Sequence, residues 1–84
     1  MDASRKKDIL KRFGAYLRHR REKVLRVPSV RQLATDSNLD HSKLSKIEKG
    51  MINMRFDTLL ELAIAYKMHP RELFQFPFDD WDEE

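Results

Sequence analysis

At 84 residues, 40% of them apolar, the chain can bury one small core and has the length of one domain. It holds no cysteine, which excludes a disulfide framework and a thiolate zinc site, and no apolar run reaches the length of a membrane span or a signal peptide, so a soluble cytoplasmic protein is expected. The net charge of +3 conceals a division: five of the fourteen acids are Asp79, Asp80, Asp82, Glu83 and Glu84, and without them positions 1–78 carry seventeen basic residues against nine acids, a net of +8 that favours a polyanionic partner.

Two Gly and three Pro leave no glycine-rich phosphate loop and point to an all-α domain. The first helix is expected from about Ser4 or Lys6 to Lys23, with Ile9, Leu10, Phe13, Leu17 and later Val24 as its apolar stripe. Its other faces carry Arg5, Lys6, Lys7, Lys11, Arg12, Arg18, Arg20 and Lys23. Lys6, Lys7 and Lys11 read as a solvated face, whereas Arg18 and Arg20, near the helix end, are candidates for phosphate contact. Pro28 then forces Val27 out of helical geometry, and Ser29 stands as the cap of the next helix, with Gln32 at capping-box spacing.

The stretch from Val30 to Ile47 predicts two short helices meeting at a tight turn. Leu33 and Ala34 give the first an inward face, Leu39 plugs the turn, and Leu44 and Ile47 give the second its inward face. Asn38 is expected to take a left-handed conformation in the turn, and Asp40 to cap the second helix from about His41. That helix leaves His41, Ser42, Lys43, Ser45, Lys46 and Lys49 pointing outward, every one able to hydrogen bond, as suits a DNA major groove.

Gly50 falls where a left-handed helix stop belongs, and a loop runs from there to Arg55. Phe56, Leu59, Leu62, Ala63 and Tyr66 recur at helical spacing, which predicts a fourth helix over 56–66 packed on the core; the neighbouring Met51, Met54 and Met68 read as packing rather than a ligand pocket. His69, Pro70 and Glu72 signal a short fifth helix over 70–75 that turns Leu73 and Phe74 inward. Residues 1–76 thus read as the domain and 77–84 as an aromatic and acidic tail, its rings anchored and its acids mobile. Leu60 and Ile64 lie one turn apart, away from the core stripe of the fourth helix, and with Phe76 and Phe78 form a candidate dimer surface.

At this point the chain resembles the phage-repressor and Cro type of helix-turn-helix protein, the XRE family. The residues that carry the resemblance are Gly14, Arg21-Glu22, Ser29, Leu33-Ala34, Asn38-Leu39-Asp40, Leu44, Ser45, Ile47-Glu48, Gly50, Thr58-Leu59, Ala63 and Leu73-Phe74, and they span about positions 9 to 76. The resemblance implies a five-helix, lambda-repressor-like, prokaryotic DNA-binding domain that docks its third helix in the major groove, usually as a homodimer on a palindromic operator. It places base reading on His41, Ser42 and Lys46, with a guanine-containing half-site expected. Backbone contacts fall to Arg18, Arg20, Ser29, Lys43, Ser45, Lys49, Asn53 and Arg55. Glu48, near a helix C-terminus where an anion is disfavoured, needs a cation, and Arg21 is its expected partner. Val30 stands where relatives carry a phosphate-touching glutamine, Met54-Arg55 where they carry a capping Pro-Ser, and the connection before Ser29 is about two residues longer than usual.

No nucleophile with its base, carboxylate pair or metal-ligand spacing is present, so neither catalysis nor a cofactor is expected. The expected partner is double-stranded DNA, with a further protein partner left unidentified. A transcriptional regulator, a restriction-modification controller and an antitoxin-type autoregulator all fit, and a protein-interaction module that kept the fold without DNA is the remaining alternative.

Overall fold

The structure, a computed structural model, describes residues 2–78. Four α-helices succeed one another, α1 (Ala3–His19), α2 (Val30–Ala34), α3 (His41–Glu48) and α4 (Phe56–Ala65), and a 3-10 turn, Pro70–Phe74, takes the place of the expected fifth helix. The five residues from Pro70 close on one another through a cap rather than a propagating helix. His69 accepts a hydrogen bond from the Arg71 N–H on its Nδ1, and the Glu72 carboxylate accepts one from the His69 N–H at 2.7 Å.

Side-chain caps begin three of the helices. Asp2 accepts from Arg5 N at 2.8 Å, Ser29 from Gln32 N at 3.2 Å, and Asp40 from Lys43 N at 2.8 Å, each satisfying an orphan amide. Helix α4 starts at Arg55 with no side-chain cap, in keeping with the missing Pro-Ser, and Asp57 in its first turn supplies a favourable charge to the helix dipole.

The helix ends share one device. After α3, Gly50 at φ 71° lets its own N–H reach the Ile47 carbonyl and the Met51 N–H reach the Lys46 carbonyl; after α4, Lys67 at φ 55° does the same with the Ile64 and Ala63 carbonyls. The α1 end is wider. It passes into a π-helical turn, Arg20–Val24, which takes up extra length in the connection, and Arg26 at φ 60° brings the Val27 N–H back to the Arg21 carbonyl. Val24 leaves the core stripe in this widened turn and is 53% exposed.

Asn38 departs from expectation, since it is not left-handed. The turn between α2 and α3 is instead tied by amides of Thr35, Asp36 and Ser37 that donate to carbonyls three residues back, and by the Ser37 hydroxyl bridging to Leu39. Asn38 donates instead to Glu61 on α4, at 3.2 Å.

The core is built on Leu17, Leu44, Ile47, Leu62, Tyr66 and Leu73, the largest side chains in full burial, with Phe13, Leu33, Leu39 and Phe76 around them. Each such aliphatic side chain contributes about 1.5–3 kcal/mol on burial. Besides Val24, and Met51, which is 63% exposed where packing was expected, three residues expected in that core lie elsewhere. Phe56, at the first turn of α4, is 74% exposed, Phe74 is half in solvent with its ring stacked on Phe13, and Leu10 faces a surface groove between α1 and the loop after α3.

Gly14 marks the tightest packing. A Cβ there would stand 2.4 Å from the Glu48 carbonyl oxygen and 2.5 Å from that of Ile47, so α1 crosses the last turn of α3 at a distance only glycine permits. Gly14→Ala is expected to lower unfolding free energy by about 1–3 kcal/mol through overpacking. Lys67→Gly should raise it by about 1 kcal/mol by relieving a left-handed lysine. Urea denaturation of the two variants reads both signs.

Candidate nucleic-acid interface

Helix α3 is held from behind by a buried set of polar side chains. Arg21 donates to Glu48 through Nε and Nη2, both at 2.9 Å, and Tyr66 donates its hydroxyl to the same carboxylate at 2.6 Å. The third guanidinium nitrogen, Nη1, reaches the Val27 carbonyl at 3.0 Å. The carboxylate thus receives three donors at the C-terminal turn of α3, where the helix dipole by itself disfavours an anion. The hydrogen bond to Glu48 holds the Arg21 guanidinium above its ordinary pKa, against the opposing effect of burial. Burial, and then the same carboxylate, push the Tyr66 phenol well above its usual range. No buried side-chain polar atom among the described residues lacks a partner.

With Leu44, Ile47 and Glu48 turned inward, α3 presents a polar outer face. His41, Ser42, Lys46 and Lys49 are exposed, whereas Lys43 and Ser45 are half-buried along the flanks. Ser29, at the start of α2, is exposed, as are Asn53 and Arg55 in the loop after α3. Arg55 pairs with Asp57 at 3.3 Å, a contact exposed enough to exchange for a phosphate at small cost. Arg18 is exposed and donates to Glu22 at 3.1 Å, which lowers the Glu22 carboxyl below its ordinary value.

Two positions turn toward structure. Arg20 donates Nε to the Tyr66 carbonyl at 2.9 Å and Nη2 to that of Lys67, so it caps the C-terminus of α4 instead of standing ready for phosphate. Val30 packs against the core, and its apolar side chain offers a phosphate no donor.

The candidate dimer residues separate into two groups. Leu60 and Ile64 are 40% and 69% exposed on α4. Phe76, however, is only 7% exposed, because its ring packs 5.9 Å from Phe13 and 5.7 Å from Tyr16 inside one chain, and the half-buried Phe78 lies against it at 4.5 Å. Phe76 is therefore a core residue and not an interface residue. Phe56 is the residue that sequence reasoning missed for this surface; it precedes Leu60 and Ile64 at a spacing of four, a signal the sequence carries although the same residue also fits the core stripe. Asp79–Glu84, including Trp81, lie outside the described residues.

Among the described residues no group of His, Asp and Glu is placed to hold a metal ion, and no helix is long and apolar enough to cross a membrane.

Removal of one partner from the buried set tests its role. Glu48→Ala, which leaves Arg21 buried without its carboxylate, is expected to cost about 3–5 kcal/mol in a chemical melt. Because the Tyr66 pKa is raised on folding, its contribution is complete below the unfolded value of about 10 and is lost as pH rises towards the folded one. One of the two tyrosines should accordingly ionise only as the chain unfolds in an alkaline absorbance titration, and Tyr66→Phe should abolish that step.

Comparison with known proteins agrees with the geometry. Residues 12–75 match the model of a helix-turn-helix domain family. The restriction-modification controller protein C.AhdI from Aeromonas hydrophila is similar in structure, with 37% identity and a TM-score of 0.70 over 81% of this chain and 96% of that one. No curated protein matches the chain significantly. Matched over most of its length, the chain belongs to the helix-turn-helix domain family and is a DNA-binding transcriptional regulator of the repressor and Cro type.

Proposed function

We propose that this regulator binds as a homodimer to a two-fold symmetric operator, with α3 in the major groove of each half-site. The observation that carries the reading is the outer face of α3, polar from His41 to Lys49 and backed by a fully bonded core. His41, Ser42 and Lys46 read base edges, lysine and histidine donating to guanine O6 and N7. Ser29, Lys43, Ser45, Lys49, Asn53 and Arg55 position the helix against phosphates, and Arg18 joins them by releasing Glu22.

The exposed stripe Phe56, Leu60 and Ile64 is the dimer surface. It is apolar on a face of α4 that the described residues leave uncovered, and a two-fold contact there would set two recognition helices about 34 Å apart, one turn of DNA. The likeness to a restriction-modification controller favours control of a restriction-modification operon over the antitoxin role. Action in the cytoplasm, without catalysis or cofactor, accords with the same reading.

A duplex selected from a random pool separates reading from positioning. Lys46→Ala should lose about 1–3 kcal/mol against the selected site while binding random DNA as before, and Lys49→Ala should weaken both alike. Equal loss by Lys46→Ala on both duplexes would remove it from base reading. Light scattering should show Leu60→Glu, Ile64→Glu as a monomer where the unaltered protein is a dimer; an unchanged dimer mass would move the interface elsewhere.

A further inference from the structure

We infer that the N-terminal half of α1 forms a second DNA-backbone site, a lysine-lined groove that takes phosphates outside the base pairs read by α3. This rests on the DNA-binding reading above and extends its footprint. The groove, open and about 430 Å³ in volume, runs between α1 and the loop after α3; Lys6, Lys7 and Lys11 line one wall, Asn53 lies on the other, and Leu10 and Met51 are among its apolar lining.

Three observations make it an anion site and set its occupant. First, the lysines have no acid partner among the described residues, whereas Arg12, Arg18 and Arg55 are matched with Asp8, Glu22 and Asp57. Asp8, which adjoins Lys7 and Lys11, is committed to Arg12 at 2.9 Å. Second, the groove is continuous with the proposed interface, since Asn53 belongs to both and Gly50 directly succeeds Lys49. The backbones meet here: a Cβ on Gly50 would stand 2.6 Å from the Lys11 Cα, so the lysine wall lies directly against the end of α3. Third, the groove is open and mixed in lining, which suits the alternating sugar and phosphate of a backbone better than a compact anion. Lysine serves as a point charge that tolerates imprecise geometry, as sequence-independent contact requires.

The position of Leu10 supports the assignment. It falls in the helical stripe of α1 yet faces this groove and not the core, and it gives the lysine stems an apolar surface to lie along while their ammonium groups reach outward.

The test uses the full chain and two duplexes carrying the same selected site, one trimmed to the bases read by α3 and one extended by about one helical turn, roughly 10 base pairs, on each side. The unaltered protein should bind the longer duplex more tightly, with a steeper dependence on salt. The triple variant Lys6→Ala, Lys7→Ala, Lys11→Ala should bind the trimmed duplex as before and forfeit the gain on the longer one. Its salt slope there should be flatter by about 2–3, at roughly 0.9 for each phosphate the variant no longer neutralises. All three side chains are exposed, so an unchanged thermal melt is expected and certifies the fold. Equal affinity of the triple variant and the unaltered protein on the longer duplex would overturn the proposal, as would equal weakening on both lengths. Failure of the unaltered protein to bind either duplex would overturn the DNA reading itself, a separate result.

Discussion

The orientation of the polar face of α3 depends on one buried carboxylate. Glu48 sits at the end of the helix that carries the polar outer face, and its two oxygens are taken by Arg21 from the π-helical extension of α1 and by Tyr66 from the end of α4. Three segments distant in sequence are thus tied at a single point. A buried ion pair of this kind is a weak source of net stability, because desolvation offsets most of the attraction, but breaking it costs about 3–5 kcal/mol. Its value lies in geometry: bidentate pairing and a third donor allow one orientation of α3 relative to α1, and with it one direction for Ser42 and Lys46.

The surrounding packing enforces the same geometry by exclusion. Gly14 lets α1 meet the Glu48 and Ile47 carbonyls, and Gly50 lets it meet the loop at the end of α3, so the two helices cross at a spacing that side chains would forbid. Arg20, next to Arg21 in the widened turn, caps α4 from the other side. The π-helical turn therefore has a structural use: it presents consecutive arginines to two different helix ends. Polar residues hold the frame, and apolar ones such as Leu44 and Ile47 supply most of the burial energy.

Much of this is legible in the sequence where a residue type has few uses. Ser29 and Asp40 before apolar periods mark helix starts, Gly50 marks a left-handed stop, and an acid at a helix C-terminus calls for a cation, which Arg21 supplies. Periodicity is less decisive where helices are short. Phe56, Leu59, Leu62 and Tyr66 fit a core stripe as well as Phe56, Leu60 and Ile64 fit an outer one, and only the packing of the described residues places Phe56 outside the core. Phe74 turns outward because the 3-10 turn over Pro70–Phe74 advances each residue by a larger angle than an α-helix does, and Phe76, beyond that turn, takes the inward place against Phe13 and Tyr16. By type Asn38 suits a left-handed turn, yet the Ser37 hydroxyl closes that turn, a local hydrogen bond that residue preferences do not reveal. Arg20 shows the same limit, since which arginine faces a carboxylate and which a carbonyl depends on the π-helical register.

The central claim is that this frame exists to hold the outer face of α3 against DNA bases. Backbone amide chemical shifts of the protein, recorded with and without a duplex selected from a random pool, test it most directly. The account predicts that the largest changes fall on His41, Ser42 and Lys46 and at the start of α2, while Leu17, Leu62 and the interior of α4 remain nearly unmoved. Changes concentrated instead on Phe56, Leu60 and Ile64, with α3 undisturbed, would contradict it.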